Sequence, residues 1–284
     1  MKTVWKLLVI FGGLVISLLL VLIHSIWIAP SAFTVRSIDI YSTKISNDFN
    51  GVKIAFFSDL YYGEYFDQQR FDTLVQTINE SDPDVIIFGG DLFSDQVDID
   101  GDAIDIVTSA LMNLDAPLGK FYVHGDLDVI NGDTTRIDTI MSHAQFENIT
   151  NRGITIRNRN TSATQLVGLA NSTNESPDIA LLNTLSPTMY TLVVCHTPNI
   201  VQSINVNVDR VVSGDSLGGQ IYIPFIGGIY ETEGSSYYQH GSYDLSHTTL
   251  DICNGAGTTI LDARFNAPPG FILYTFHSGD DPSN

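Results

Sequence analysis

Apolar and polar positions change period several times along this chain, and those changes divide it into an N-terminal span and an alternating body. From Leu7 to Ile28 no residue is ionised, and roughly 20 such residues suffice to cross a bilayer as a helix. Beyond it, Val52–Phe57, Val85–Phe88 and Lys120–Val123 are apolar runs of strand length. Phe71, Leu74, Val75 and Ile78 recur on one helical face, as do Ile104, Val107, Leu111 and Leu114, and then Ile137, Ile140, Met141 and Ala144. This β-α-β-α-β-α order predicts a parallel sheet with helices on its faces. Shorter strands are expected at Gln165–Leu169, Met189–Cys195, Arg210–Ser213, Gln220–Ile223, Leu250–Cys253 and Phe271–Phe276. The resulting division is a membrane anchor over 1–29, a stalk and first strand over 30–50, and a folded domain over 51–284.

The flanks orient the span. Lys2 and Lys6 precede it, and Trp5 and Trp27 stand at its two ends as interfacial aromatics. A positive flank keeps the N-terminus in the cytoplasm, which makes a single-pass protein of the cell membrane with an extracytoplasmic C-terminal domain. A cleaved secretory signal is the competing reading, but the apolar stretch is long for one and Ala29-Pro30-Ser31-Ala32 is a poor cleavage site.

Charge narrows the partners. The 284 residues carry 13 Lys+Arg against 32 Asp+Glu, a net charge of −19, which excludes a nucleic-acid binder that neutralises phosphates with a basic face. Cys195 and Cys253 are too few for a disulfide scaffold or a cysteine zinc site, and both sit in apolar runs that favour buried free thiols over one bridge. Asn148, Asn160, Asn171 and Asn174 head N-x-S/T sequons and mark a polar stretch expected to be exposed.

Candidate chemistry lies just beyond the strands. Asp59, Asp91 and Asp126 each follow an apolar run, His196 ends a fourth and Asp215 follows a fifth. One aspartate after a strand is ordinarily a cap or a turn residue. A set of them at the carboxyl edge of an α/β sheet is where such folds bind ligands.

The segments FSDLYYG, GGDLFSD, GDLD, CHTP and SGDSLGGQ resemble, in order and spacing, the five motifs of calcineurin-like metallophosphoesterases, and especially their membrane-anchored bacterial branch. Those motifs run D-x-H, G-D-x-x-D, G-N-H-D, a lone His, and G-H-T-H-G-G-Q. The likeness extends from about Val52 to Phe276 and includes the late RFNAPPG. It implies an α/β phosphoesterase sandwich, central β-sheets flanked by helices, following the transmembrane helix. It also implies that one family metal site maps to Asp59, Tyr61, Asp91 and Leu217, and the other to Asp91, Asp126, His196 and Asp215. The family's proton-donating histidine falls on Leu127, with Asp128 beside it.

These departures fall on the chemistry. A leucine neither ligates a metal nor moves a proton, and loss of a general acid alone removes roughly 10²–10⁴ in rate. A dinuclear centre is therefore not expected. The set Asp91, Asp126, His196 and Asp215 keeps three carboxylates and an imidazole, which suits one hard divalent cation such as Mg²⁺, Mn²⁺ or Ca²⁺. The bland alternative has these acids splayed into solvent or bonded to loop amides. Two functions compete: a pseudoenzyme that binds or scaffolds a protein or small-molecule ligand, and a phosphomonoester or phosphodiester hydrolase with a remodelled single-metal site. The first is the expectation.

Overall fold

The computed structural model describes residues 2–96, 98–129, 132–158 and 163–282. In chain order the first half contains α1 (Lys2–Ile23), β1 (Thr34–Ser42), β2 (Lys53–Phe57), α2 (Gln68–Glu80), β3 (Val85–Phe88), α3 (Gly101–Met112), β4 (Lys120–Tyr122), α4 (Thr135–His143) and β5 (Phe146–Asn148). The second half has strands β6 (Arg152–Arg157), β7 (Ala163–Gly168), β8 (Thr191–Val194), β9 (Arg210–Ser213), β10 (Tyr222–Ile223), β11 (Gly227–Gly228), β12 (Ser242–Leu245), β13 (Thr248–Ile252) and β14 (Gly270–Ser278).

Helix α1 is long and apolar enough to cross a membrane, and none of its residues is buried against the rest of the chain. The segment after it is tied to the body: β1 pairs with β14 along its whole length, from Thr34 opposite Gly270 to Ser42 opposite Ser278.

Twelve of the strands form two six-stranded sheets, ordered β1-β14-β2-β3-β4-β5 and β12-β13-β9-β8-β7-β6, while β10 and β11 pair as a hairpin of their own. Strands β2 to β5 are mutually parallel, as their alternation with helices predicts, while β14 enters antiparallel to β2. The later strands build a second sheet whose parallel centre is bordered by antiparallel β6 and β12.

Strand periodicity explains the layers, because successive side chains point to opposite faces. Ile54, Phe56, Val85 and Ile87 face the second sheet and meet Leu166, Leu192, Val194 and Val212 in a shared core. Ala55, Phe57, Ile86 and Phe88 face outward under the helices, against Phe71, Leu74, Val107, Leu111, Ile137 and Ile140. Both faces being covered is why these strands read as unbroken apolar runs. Asp67 and Asp100 start α2 and α3 by accepting the N–H groups of Arg70 and Ala103. The outer face of the second sheet is covered by short 3₁₀ turns and loops, with Ile200, Val201 and Ile204 packed on Val193 and Val211.

Two local expectations differ. The strand expected at Gln220–Ile223 shrinks to Tyr222–Ile223, because Gln220 sits in a left-handed turn at φ 52°. Of the sequons, Asn171 is fully buried and donates to Gly125 O and to Glu175, and half-buried Asn148 donates to Asp138. Their amides serve as internal donors, so the polar stretch is partly folded inward. Asn160 lies outside the described residues.

Candidate metal centre

Five loops leave the carboxyl ends of β2, β3, β4, β8 and β9 on one edge of the sandwich, and they deliver Asp59, Asp91, Asp126, His196 and Asp215 to one place. Their backbones are bent to do so. Asp59 (φ 55°), Tyr61 (φ 49°), Asp91 (φ 61°), Asp215 (φ 68°) and Leu217 (φ 52°) all occupy the left-handed region. Aspartate tolerates that conformation far better than tyrosine or leucine, and such strain gathers at binding sites. The second and third loops also touch through glycine: a Cβ on Gly90 would lie 2.3 Å from Gly125 N.

Asp128 holds these two loops together. Its carboxylate accepts the N–H groups of Asp91 (2.9 Å), Leu92 (3.1 Å) and Gly125 (2.9 Å). Asp91 in turn accepts from Leu127 N at 3.0 Å. Asp128 is thus a backbone staple, a role its place beside the proton-donor position did not reveal.

His196 is the hub. Its Nδ1 lies 2.7 Å from Gly89 O and can only donate there, so in the neutral ring Nε2 is the lone-pair nitrogen. That Nε2 faces Asp126 at 3.2 Å, Asp91 at 3.3 Å and Asp59 at 3.9 Å. Neither His196 Nε2 nor Asp126 Oδ1 has a hydrogen-bond partner, although both atoms are buried. A carbonyl locking one ring nitrogen while the other faces carboxylates is the arrangement that metal-binding imidazoles use.

Burial raises the pKa of Asp59, that of Asp91 to about 8 and that of Asp215 to about 7, against partial compensation from the His196 charge. Burial also pushes Asp126 upward, but its close contact with the His196 ring leaves it below the usual carboxylate value. For His196, burial alone would lower the pKa, and the Asp91 charge and the Asp126 contact carry it well above. The cluster therefore holds protons jointly when no cation balances it. Two ligand triads converge, Asp59/Asp91/His196 and Asp126/His196/Asp215, each with its atoms within 4.8 Å of one another.

The residues offer a divalent cation a carboxylate-rich set with one imidazole. Asp126, His196 and Asp215, with Asp91 adjacent, supply an oxygen-rich set with an orphaned imidazole nitrogen. Around Asp59 the remaining positions are filled otherwise. Tyr61 Oη lies 3.5 Å from Asp59 Oδ1, and burial raises its phenol well above the normal range. Leu217 is completely buried. Asp59 itself is engaged by Ser58 Oγ and by the Asp215 N–H at 3.1 and 3.2 Å. Thr232 Oγ1 donates to Asp215 at 2.7 Å.

The family model for calcineurin-like phosphoesterases matches residues 52–216, a range that includes Asp59, Asp91, Asp126, His196 and Asp215. The chain belongs to that family. Among its relatives is the uncharacterized metallophosphoesterase YkuE of Bacillus subtilis, 29% identical over 254 residues, covering 89% of this chain and 88% of the relative. The uncharacterized metallophosphoesterase Cj0846 of Campylobacter jejuni is 26% identical over 243 residues, covering 84% of this chain but 62% of its own length. A Bos taurus transmembrane protein with metallophosphoesterase domain is 20% identical over 233 residues, covering 73% of this chain and 51% of the relative. Family members ordinarily bind divalent metals, and both ligand triads lie within the matched residues.

One member of the site was missed from sequence. Arg264, in the RFNAPPG segment, is entirely buried behind Asp59 and Leu217. Its guanidinium donates to the carbonyls of Leu217 (2.6 Å), Asn254 (2.8 Å), Ala267 (3.2 Å) and Gly257. Burial lowers its pKa to about 10, opposed by the charge of Asp59. The available signal was a lone cation in a proline-rich stretch of a chain poor in basic residues. Tyr62, beside Tyr61 in the first loop, is a core residue packed on Phe71 and Phe93.

Proposed function

We propose that this protein is a membrane-anchored, extracytoplasmic metallophosphoesterase-fold module that has lost dinuclear catalysis and binds or scaffolds a protein or small-molecule ligand. The observation that carries this reading is the fully buried Leu217, whose side chain offers no donor atom at the position to which the motif resemblance assigns a ligand. Tyr61 and Leu127 deepen it, since one replaces a second imidazole and the other the proton donor. A two-metal mechanism needs both ions about 3.5–4 Å apart to clamp attacking and leaving oxygens. One divalent cation with oxygen preference, held by Asp91, Asp126, His196 and Asp215, supplies a charge that can anchor an anionic ligand group.

The membrane reading is supported by the unburied apolar α1, by Lys2 and Lys6 in its first turns, and by the likeness to the bovine transmembrane protein. The second reading, a single-metal phosphoesterase, draws on the Asp126/His196/Asp215 triad.

Reversion separates the two. The natural chain is assayed for Mn²⁺-dependent hydrolysis of an aryl phosphodiester beside a variant carrying Tyr61→His, Asp126→Asn, Leu127→His, Asp215→His and Leu217→His. The expected result is no turnover by the natural chain and measurable turnover by the fivefold variant, with single reversions nearly silent because such residues act as a unit. Metal-dependent turnover by the natural chain on the order of 1–10 s⁻¹ that is lost in Asp91→Ala overturns the proposal.

A further inference from the structure

Two loops next to the end of the anchor carry large apolar side chains that the fold leaves uncovered. Phe225 is fully exposed and Ile226 is 79% exposed at the tip of the β10–β11 hairpin, with Ile229 just beyond it. Ile260 is 78% exposed and Leu261 half exposed on the second loop. Both tips are strained. Phe225 (φ 70°) and Ile260 (φ 64°) are left-handed, and for a β-branched isoleucine that is a true outlier with no packing to offset it.

The loops are fastened to each other and, through Arg264, to the helical segment that continues α1. Gln220 Nε2 donates to Thr259 O (3.0 Å) and Leu261 O (2.8 Å), and Gln220 Oε1 accepts from Thr259 N at 3.1 Å. Gly219 and Gly228 touch so closely that a Cβ on Gly219 would stand 2.3 Å from Gly228 Cα, which fixes the hairpin base. Tyr222 N donates to Phe265 O at 2.8 Å, and the neighbouring Arg264 N donates to Ser25 O at 2.9 Å. Ser25 lies at the outer end of the apolar span, two residues before the exposed Trp27, and tryptophan at that position marks headgroup depth. A cleft of about 320 Å³ separates the loops, lined by Ile221, Ile229, Tyr230, Glu231, Ile260 and Leu261.

We infer that Phe225, Ile226, Ile229, Ile260 and Leu261 form a membrane-docking face that seats the folded domain in the headgroup–acyl boundary of the bilayer crossed by α1. The inference rests on the anchor reading above. Lipid is the occupant because the face is continuous with the anchor through Arg264 and Ser25, and an exposed apolar patch beside a span is buried at no added cost of association. Attraction to anionic lipid plays no part, since the residues beyond the anchor carry 11 basic against 32 acidic side chains. Because Gln220 and Gly219 follow Asp215 and Leu217 on one loop, the docking face and the candidate metal centre share a rigid support.

The test uses the full chain in phosphatidylcholine nanodiscs. A polarity-sensitive fluorophore is attached at Phe225→Cys, Ile260→Cys or, as control, Thr43→Cys, while Cys195 and Cys253 are buried and do not label. Thr43 follows the far end of β1, whose nine residues lead away from the anchor by roughly 30 Å. The expected result is blue-shifted emission at Phe225→Cys and Ile260→Cys, with quenching by spin-labelled lipid roughly twofold or more above the control, unchanged by salt. A chain retained in the disc whose two probes read water like the control overturns the docking face alone. Blue-shift without lipid quenching means a protein occupant or a second copy, and also overturns it. A chain that fails to enter the disc sinks the anchor reading, and this inference with it.

Discussion

Asp215→Asn turns the electrostatics of the site into a stability measurement. Asp215 is almost fully buried, and burial raises its pKa from 3.8 to about 7. A raised carboxyl pKa means that the folded chain binds a proton the unfolded chain has released. The stability this group contributes is complete below about pH 3.8 and is lost as pH rises to about 7. Three units at about 1.4 kcal/mol each give an upper bound of about 4 kcal/mol. Water entry into the cluster reduces this, so roughly 2–4 kcal/mol is the range expected. Asp59, Asp91 and His196 are raised as well and add slope of the same sign, whereas the lowered Asp126 acts only at more acid pH. Asparagine removes the ionisation, keeps an oxygen for the Thr232 hydroxyl, and tolerates the left-handed backbone at φ 68°. In chelator, the variant should therefore unfold above the natural chain at pH 7.5, by roughly 5–10 °C for a chain of this size, and the gap should narrow steadily on acidification and close only toward pH 4. Saturating Mn²⁺ should invert the order, because the natural carboxylate then pairs with a cation. The assay is thermal unfolding of the full chain in detergent at pH 4 to 8, with and without metal. A natural chain whose stability in chelator is flat across that range would refute the reasoning, because the acids would then be solvated and ionised throughout.

Arg264→Met should destabilise the chain by about 4 kcal/mol or more, since several buried carbonyls lose their donor at about 1–3 kcal/mol each; thermal unfolding and folded yield report it. Elemental analysis of the purified chain should find at most one divalent ion, lost in Asp91→Ala, and two tightly held ions per chain would show that Tyr61 and Leu217 do not block the first site. Protease added to intact cells should reach the C-terminal domain while the full-length chain stays in the membrane fraction at high salt; a shortened, secreted chain would contradict the anchor. Asp128→Ala should loosen the loops of Asp91 and Gly125 together, weakening metal binding by roughly 10–100-fold without removing a ligand, which titration calorimetry reads directly.

Periodicity made the first half of the fold legible. Phe71, Leu74, Val75 and Ile78 form the buried face of α2, and the continuous runs of β2 and β3 are strands covered on both sides, because local burial imposes a local period. Spacing of the motifs identified Asp59, Asp91, Asp126, His196 and Asp215 as one set, because the carboxyl ends of neighbouring parallel strands share an edge. What periodicity does not carry is pairing between distant segments. That β14 returns between β1 and β2 depends on contacts across more than two hundred residues, and the separate second sheet depends on pairings between strands divided by loops and turns. The roles of Asp128 and Arg264 were hidden for the same reason, since each is defined by the backbone groups it meets: three N–H groups gathered by one carboxylate, and a ring of carbonyls gathered by one guanidinium. Residue type alone marks a group as able to donate or accept. Only the folded chain decides whether water, a metal or its own backbone answers.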